Sequence, residues 1–92
     1  MSPPDRTDQL KRLARIRGQI DGIARMLDEA RPETDVLVQL RAVRAALGKV
    51  EEGLLRAHAE RCVAAALRSE GKAEAAARLE EFFEVLARFG LR

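Results

Sequence analysis

The sequence predicts an all-α fold, a three-helix protomer built around one long central helix. Three observations predict it. Apolar residues recur at steps of three and four in three separate segments, the period of a helix face. No segment shows the apolar–polar alternation of a half-buried strand. The apolar content is Leu, Ala, Val and Ile, with Trp and Tyr absent and Phe present three times.

The first helix is expected over about 7–29. Thr7 or Asp8 can cap it, because a side-chain oxygen there accepts from free backbone N–H groups. Residues 1–6 precede the cap and are read as flexible. Leu13, Ile16, Ile20, Ile23 and Leu27 form one apolar seam. Gly18 and Gly22 sit inside it, each at about 1 kcal/mol against Ala. Either another helix approaches closely there, or they are tolerated surface glycines.

"EARPETD" ends that pattern, since Pro32 restricts the residue before it and fits poorly inside a helix. Thr34 or Asp35 can cap the second helix, expected over about 35–69. Its seam is Val36, Leu40, Val43, Leu47, Val50 and Leu54. Gly71 is its expected terminator. Such a helix is on the order of 50 Å long, more than a lone hairpin covers, which argues for partner chains. The third helix is expected over about 72–89. Ala76, Leu79, Phe83 and Leu86 form its inner face, Phe82 is adjacent, and Gly90 stands at its C-terminal cap.

Composition narrows the function classes. With 92 residues, one domain spans 1–92. At 47% hydrophobic and 35% charged, the chain is too apolar for disorder and too charged for a membrane protein. "MSPPDRTDQL" has no apolar signal core, and a single cysteine excludes an intrachain disulfide. A reducing cytoplasm is therefore the expected compartment. Net charge is only +2, but it is unevenly spread. Residues 6–25 are rich in Lys and Arg, and residues 70–84 in Glu, so one end of the fold is basic and another acidic.

The only histidine and the only cysteine, His58 and Cys62, are four residues apart and continue the seam of the second helix. They are either packed core residues or one face of a chelate. Imidazole and thiolate together suit zinc, nickel, cobalt or copper. Glu33 is a candidate third donor. It lies 25 residues from His58, roughly 37 Å along the same helix. If Glu33 is a ligand, it comes from a second chain lying antiparallel, and the site bridges two subunits.

"LKRLARIRGQIDGIARMLDE", "DVLVQLRAVRAALGKV" and "HAERCV" resemble the metal-responsive repressor family typified by the copper sensor CsoR. The resemblance covers about residues 10–89. It implies protomers paired through antiparallel second helices, dimers assembled into a homotetramer, and a repressor of double-stranded operator DNA that an inducer releases. His58 and Cys62 match the family's later His and Cys. Glu33 falls where its copper sensors carry an early Cys, in "ETDVL". A carboxylate is a hard donor, so the Glu33–His58–Cys62 set fits Zn(II), Co(II) or Ni(II) better than Cu(I), although His58 and Cys62 alone could hold Cu(I). The formaldehyde sensors need the early Cys, the persulfide sensors need two cysteines, and the nickel/cobalt sensors need an N-terminal His. The inducer is therefore unassigned.

The resemblance also implies a third-helix glutamate hydrogen-bonded near the site, aligned with Glu81 and next with Glu80. The bland alternative is a solvated glutamate. Arg15 and Lys49 fall at the family's DNA-linked basic positions. Lys11, Arg12, Arg41 and Arg44 extend the basic set, and the alternative is again plain solvation. An enzyme is disfavoured, because one His and one Cys on a helix seam lack an orienting third group. Two other readings stay open: a member with a degenerate site that binds DNA without metal control, and a purely structural helical bundle.

Overall fold

The computed structural model describes residues 3–90. Helix α1 spans Pro3–Asp28, α2 spans Glu33–Arg68, and α3 spans Lys72–Val85 and continues into a π-helical turn over Leu86–Gly90. Three helices with a long central one is the expected fold. No strand occurs among the described residues.

The helix ends correct the expected caps. α1 starts at Pro3 rather than Thr7, so Thr7 and Asp8 lie inside it. Proline is compatible with a first helical turn, where its missing N–H has no partner to lose. Met1 and Ser2, part of the stretch expected to be flexible, lie outside the described residues. α2 begins after Pro32, whose extended backbone (φ −56°, ψ 140°) starts the helix without any side-chain cap from Thr34 or Asp35. Asp35 pairs with Arg31 instead, 3.4 Å away. Glu33 and Asp35 both sit in the first turn, where negative charge meets the positive end of the helix dipole.

The turn between α1 and α2 is closed by backbone. Arg31 N–H donates to the Met26 carbonyl (2.9 Å) and Ala30 N–H to that of Leu27 (3.1 Å). These are the paired bonds of a Schellman ending, which places its penultimate residue in the left-handed region. That residue is Ala30, at φ 54°. At the other end α2 stops at Arg68. Ser69 turns extended (ψ 144°), and its hydroxyl donates to the Ala65 carbonyl at 2.9 Å. Gly71 is therefore not the terminator of α2 but the residue from which α3 starts.

α1 packs along the first half of α2, and α3 along the second. The core between α1 and α2 is Ile16, Ile23, Val36, Val43 and Val50, with Met26 and Ala46 against it. Only part of each expected seam is buried, and on the expected inner face of α3 Leu79 and Leu86 are half-buried while Ala76 and Phe83 are exposed. In α2 the valines, seven residues apart, face α1; the leucines between them remain exposed, Leu40 at 47%, Leu47 at 41% and Leu54 at 44%. In α1, Ile16 and Ile23 are buried while Leu13, Ile20 and Leu27 are exposed. An apolar stripe of steps three and four is wide enough to serve two neighbours, and the chain supplies one.

The dimensions agree. The molecule measures 62 × 26 × 12 Å, a layer about one helix thick. Its radius of gyration is 18.5 Å, against about 12 Å for a compact globule of this length.

Gly18 faces open space and Gly22 meets only the tip of Arg25 at 3.8 Å, so the expected close helix approach is absent there within one chain. It occurs instead at Gly53, against the Gln9 side chain, and at Gly90, where an added Cβ would stand 3.1 Å from Leu55.

Candidate metal centre

His58 and Cys62 lie on consecutive turns of α2, in its second half. Cys62 is buried and His58 half-buried. Helical spacing brings His58 Nε2 to 3.5 Å from Cys62 Sγ. A tetrahedral ion bonded to nitrogen at about 2.05 Å and sulfur at about 2.3 Å holds its donors about 3.5–3.6 Å apart, whereas a linear ion needs about 4.3 Å. The pair thus stands at the separation that two tetrahedral ligands require.

The other face of the imidazole meets Arg61, whose Nη2 lies 3.5 Å from Nδ1. A guanidinium only donates, so Nδ1 is the acceptor. In a neutral ring the proton then sits on Nε2, facing the sulfur. His58 also borders a groove of about 560 Å³ where the end of α3 returns to α2, lined by Leu54, Leu55, Val85, Phe89 and Gly90. Glu51 and Glu52 stand at its rim.

Within one chain, His58 and Cys62 stand apart from Glu33. Glu33, at the first turn of α2, is exposed and far along the helix from His58. Among the described residues no three His, Cys, Asp or Glu side chains converge. Glu81 is exposed on α3 and pairs with Arg78 at 3.4 Å, and Glu80 is exposed beside it. The groove residues Val85, Phe89 and Gly90 had no signal in the sequence, because only the return of α3 brings them to His58. Arg61 did have one, since it stands three residues after His58 and shares its face.

The basic residues are exposed. The contact of Gln9 with Gly53 sets an antiparallel register that brings Lys11, Arg12 and Arg15 level with Lys49. Arg12 pairs with Asp8 (3.2 Å) and Lys49 with Glu52 (3.7 Å). Arg41 and Arg44 lie further along α2, toward the hairpin turn. No helix among the described residues is long and apolar enough to cross a membrane.

Comparison with known proteins adds independent findings. A family model described as "Metal-sensitive transcriptional repressor" matches residues 5–88. The chain is 42% identical over 78 residues to the copper-sensing transcriptional repressor CsoR of Bacillus subtilis, covering 84% of this chain and 77% of that protein. It is 44% identical over 78 residues to the copper-sensing transcriptional repressor RicR of Mycobacterium tuberculosis, covering 85% and 80%. Among solved structures, the nickel-responsive transcriptional regulator InrS superposes with a TM-score of 0.79 at 36% identity, over 90% of each chain.

Proposed function

The chain belongs to the metal-sensitive transcriptional repressor family, and from that premise we propose that it binds double-stranded operator DNA in the cytoplasm and is released when a metal ion joins two of its subunits. The observation that carries this reading is the His58–Cys62 pair, set at tetrahedral ligand separation on the helix that also leaves a leucine row exposed. Two copies paired antiparallel through α2 cover that row and bring Glu33 of one to His58 and Cys62 of the other. Two such dimers form the tetramer.

The donor set is His58 Nε2, Cys62 Sγ and a Glu33 carboxylate oxygen. An oxygen, a nitrogen and a sulfur favour Zn(II), Ni(II) or Co(II) over Cu(I). A divalent ion held by these side chains would supply positive charge and link the two helices that carry them. The chain's own residues set the switch. Cys62 must give up its thiol proton, and His58 must clear Nε2. The imidazole proton then sits on Nδ1, which becomes a donor facing Arg61, also a donor. That contact breaks, and Arg61 moves away from the His58 ring, which borders the groove where α3 meets α2. Glu81, freed from Arg78, is the carboxylate proposed to accept from Nδ1 and so to tie α3 to the site. Lys11, Arg12, Arg15, Arg41, Arg44 and Lys49 face phosphates when no metal is bound, and the repacked helices space them wrongly for DNA.

The test is operator affinity measured during titration with Zn(II), Ni(II), Co(II) and Cu(I). Release by a divalent ion, abolished in Cys62→Ala, supports the reading. Operator binding that none of the four alters marks a member whose site has been lost with the early cysteine.

A further inference from the structure

The exposed leucine row of α2 carries a charge at each end. Counted in sevens, Glu33, Leu40, Leu47, Leu54 and Arg61 occupy one row. A straight helix drifts by about 20° per heptad, a mismatch that supercoiling of paired helices removes. Glu33 and Arg61 stand 14 residues on either side of Leu47. Neither has an ion-pair partner among the described residues.

The row is therefore self-complementary in one direction only. A second copy laid antiparallel, with Leu47 against Leu47, sets Leu40 against Leu54 and Glu33 against Arg61 at both ends. A parallel copy sets Glu33 against Glu33 and Arg61 against Arg61, and like charges in register disfavour it. Arg61 precedes Cys62 and touches His58, so a carboxylate drawn to Arg61 arrives beside the donor pair.

Resting on the two-subunit site proposed above, we infer that Glu33 of one copy pairs with Arg61 of the other, and that Arg61 competes with the metal for this carboxylate. Without metal, the two ion pairs close the ends of the seam and fix its direction. With metal, Glu33 changes partner. The guanidinium, which can only donate, is left beside a cation and swings outward. Arg61 thus raises the metal concentration at which the site fills.

The test uses the full chain and Zn(II) alone, with affinity read by competition against a chromophoric chelator. Arg61→Gln raises Zn(II) affinity roughly five- to tenfold, and the gain disappears in a Glu33→Gln background. Absence of a gain overturns the inference, and so does a gain that persists without Glu33, since simple repulsion would explain it. Zn(II) binding indifferent to Cys62→Ala overturns the underlying site instead, which separates the two failures. Charge reversal gives a second readout. Glu33→Arg and Arg61→Glu each weaken self-association in sedimentation, and the double exchange restores it; a double exchange no better than the singles overturns the pairing.

Discussion

The Gln9 carboxamide lies directly over Gly53, in the space that the Cβ of any other residue would fill. This contact joins the start of α1 to α2, five residues before His58. Gln9 is 8% exposed and its Oε1 has no hydrogen-bond partner, so the site is both tight and polar. Gly53→Ala must push the end of the Gln9 side chain aside. That end is flexible, so the displacement is cheap and largely offset by the helix preference of Ala, leaving stability within about 1 kcal/mol of the unsubstituted protein, read by chemical denaturation. In a Gln9→Ala background the same change has room. It then stabilises by up to about 1 kcal/mol, the helix preference of Ala over Gly. Equal effects in both backgrounds would show that Gln9 is not what Gly53 accommodates.

The turn at Ala30 yields a second stability prediction. An L-residue with a Cβ held at φ 54° carries a strain of about 1–2 kcal/mol that glycine lacks. Glycine loses more chain entropy on folding, which offsets part of the gain. Ala30→Gly therefore stabilises by about 0.5–1 kcal/mol net, and its melting temperature should rise. A fall would mean that the turn does not hold this conformation in solution.

These two positions mark where sequence reading stopped. The three helices and the inward placement of Cys62 were legible, because both follow from a period of three to four along the chain. The division of each seam was not. Val43 and Leu47 look alike in periodicity, and only the single neighbour in this chain decides that one is buried and the other exposed. Caps failed for a related reason. Thr34 and Asp35 have suitable side chains, but Pro32 sets the backbone angle at which α2 starts, so the helix begins before them. At the site, the closeness of His58, Cys62 and Arg61 follows from their spacing along one helix, whereas the groove closed by Val85, Phe89 and Gly90 needed the return of α3.

Metal binding at His58 and Cys62 should weaken with acid. Both groups must be deprotonated to ligate, so protons compete with the ion at each donor, and the sign is fixed. Zn(II) affinity should therefore fall as the solution is made more acid, because each proton that returns to a donor displaces the ion. His58→Ala removes one of the competing protons as well as a ligand, so its residual affinity should follow pH less steeply. The companion measurement is alkylation of Cys62, slowed at one Zn(II) per site. A flat pH profile, or alkylation unaffected by metal, contradicts ligation by these side chains.

Operator binding should report the basic residues through its salt dependence. Each neutralised phosphate releases condensed counterion, so the slope of log affinity against log salt flattens by about 0.9 for every phosphate that is no longer neutralised. Arg15→Ala and Lys49→Ala are both exposed changes and leave the α1–α2 core intact, so folding is preserved. Each should weaken operator binding and flatten the slope in proportion to the number of subunits that touch DNA. Lys49 carries a check of its own. It pairs with Glu52 at 3.7 Å, so Glu52→Gln frees its ammonium and should strengthen DNA binding modestly. That gain must vanish in Lys49→Ala. If Glu52→Gln strengthens binding equally without Lys49, the effect is net charge alone, and Lys49 is a solvated lysine rather than a phosphate contact.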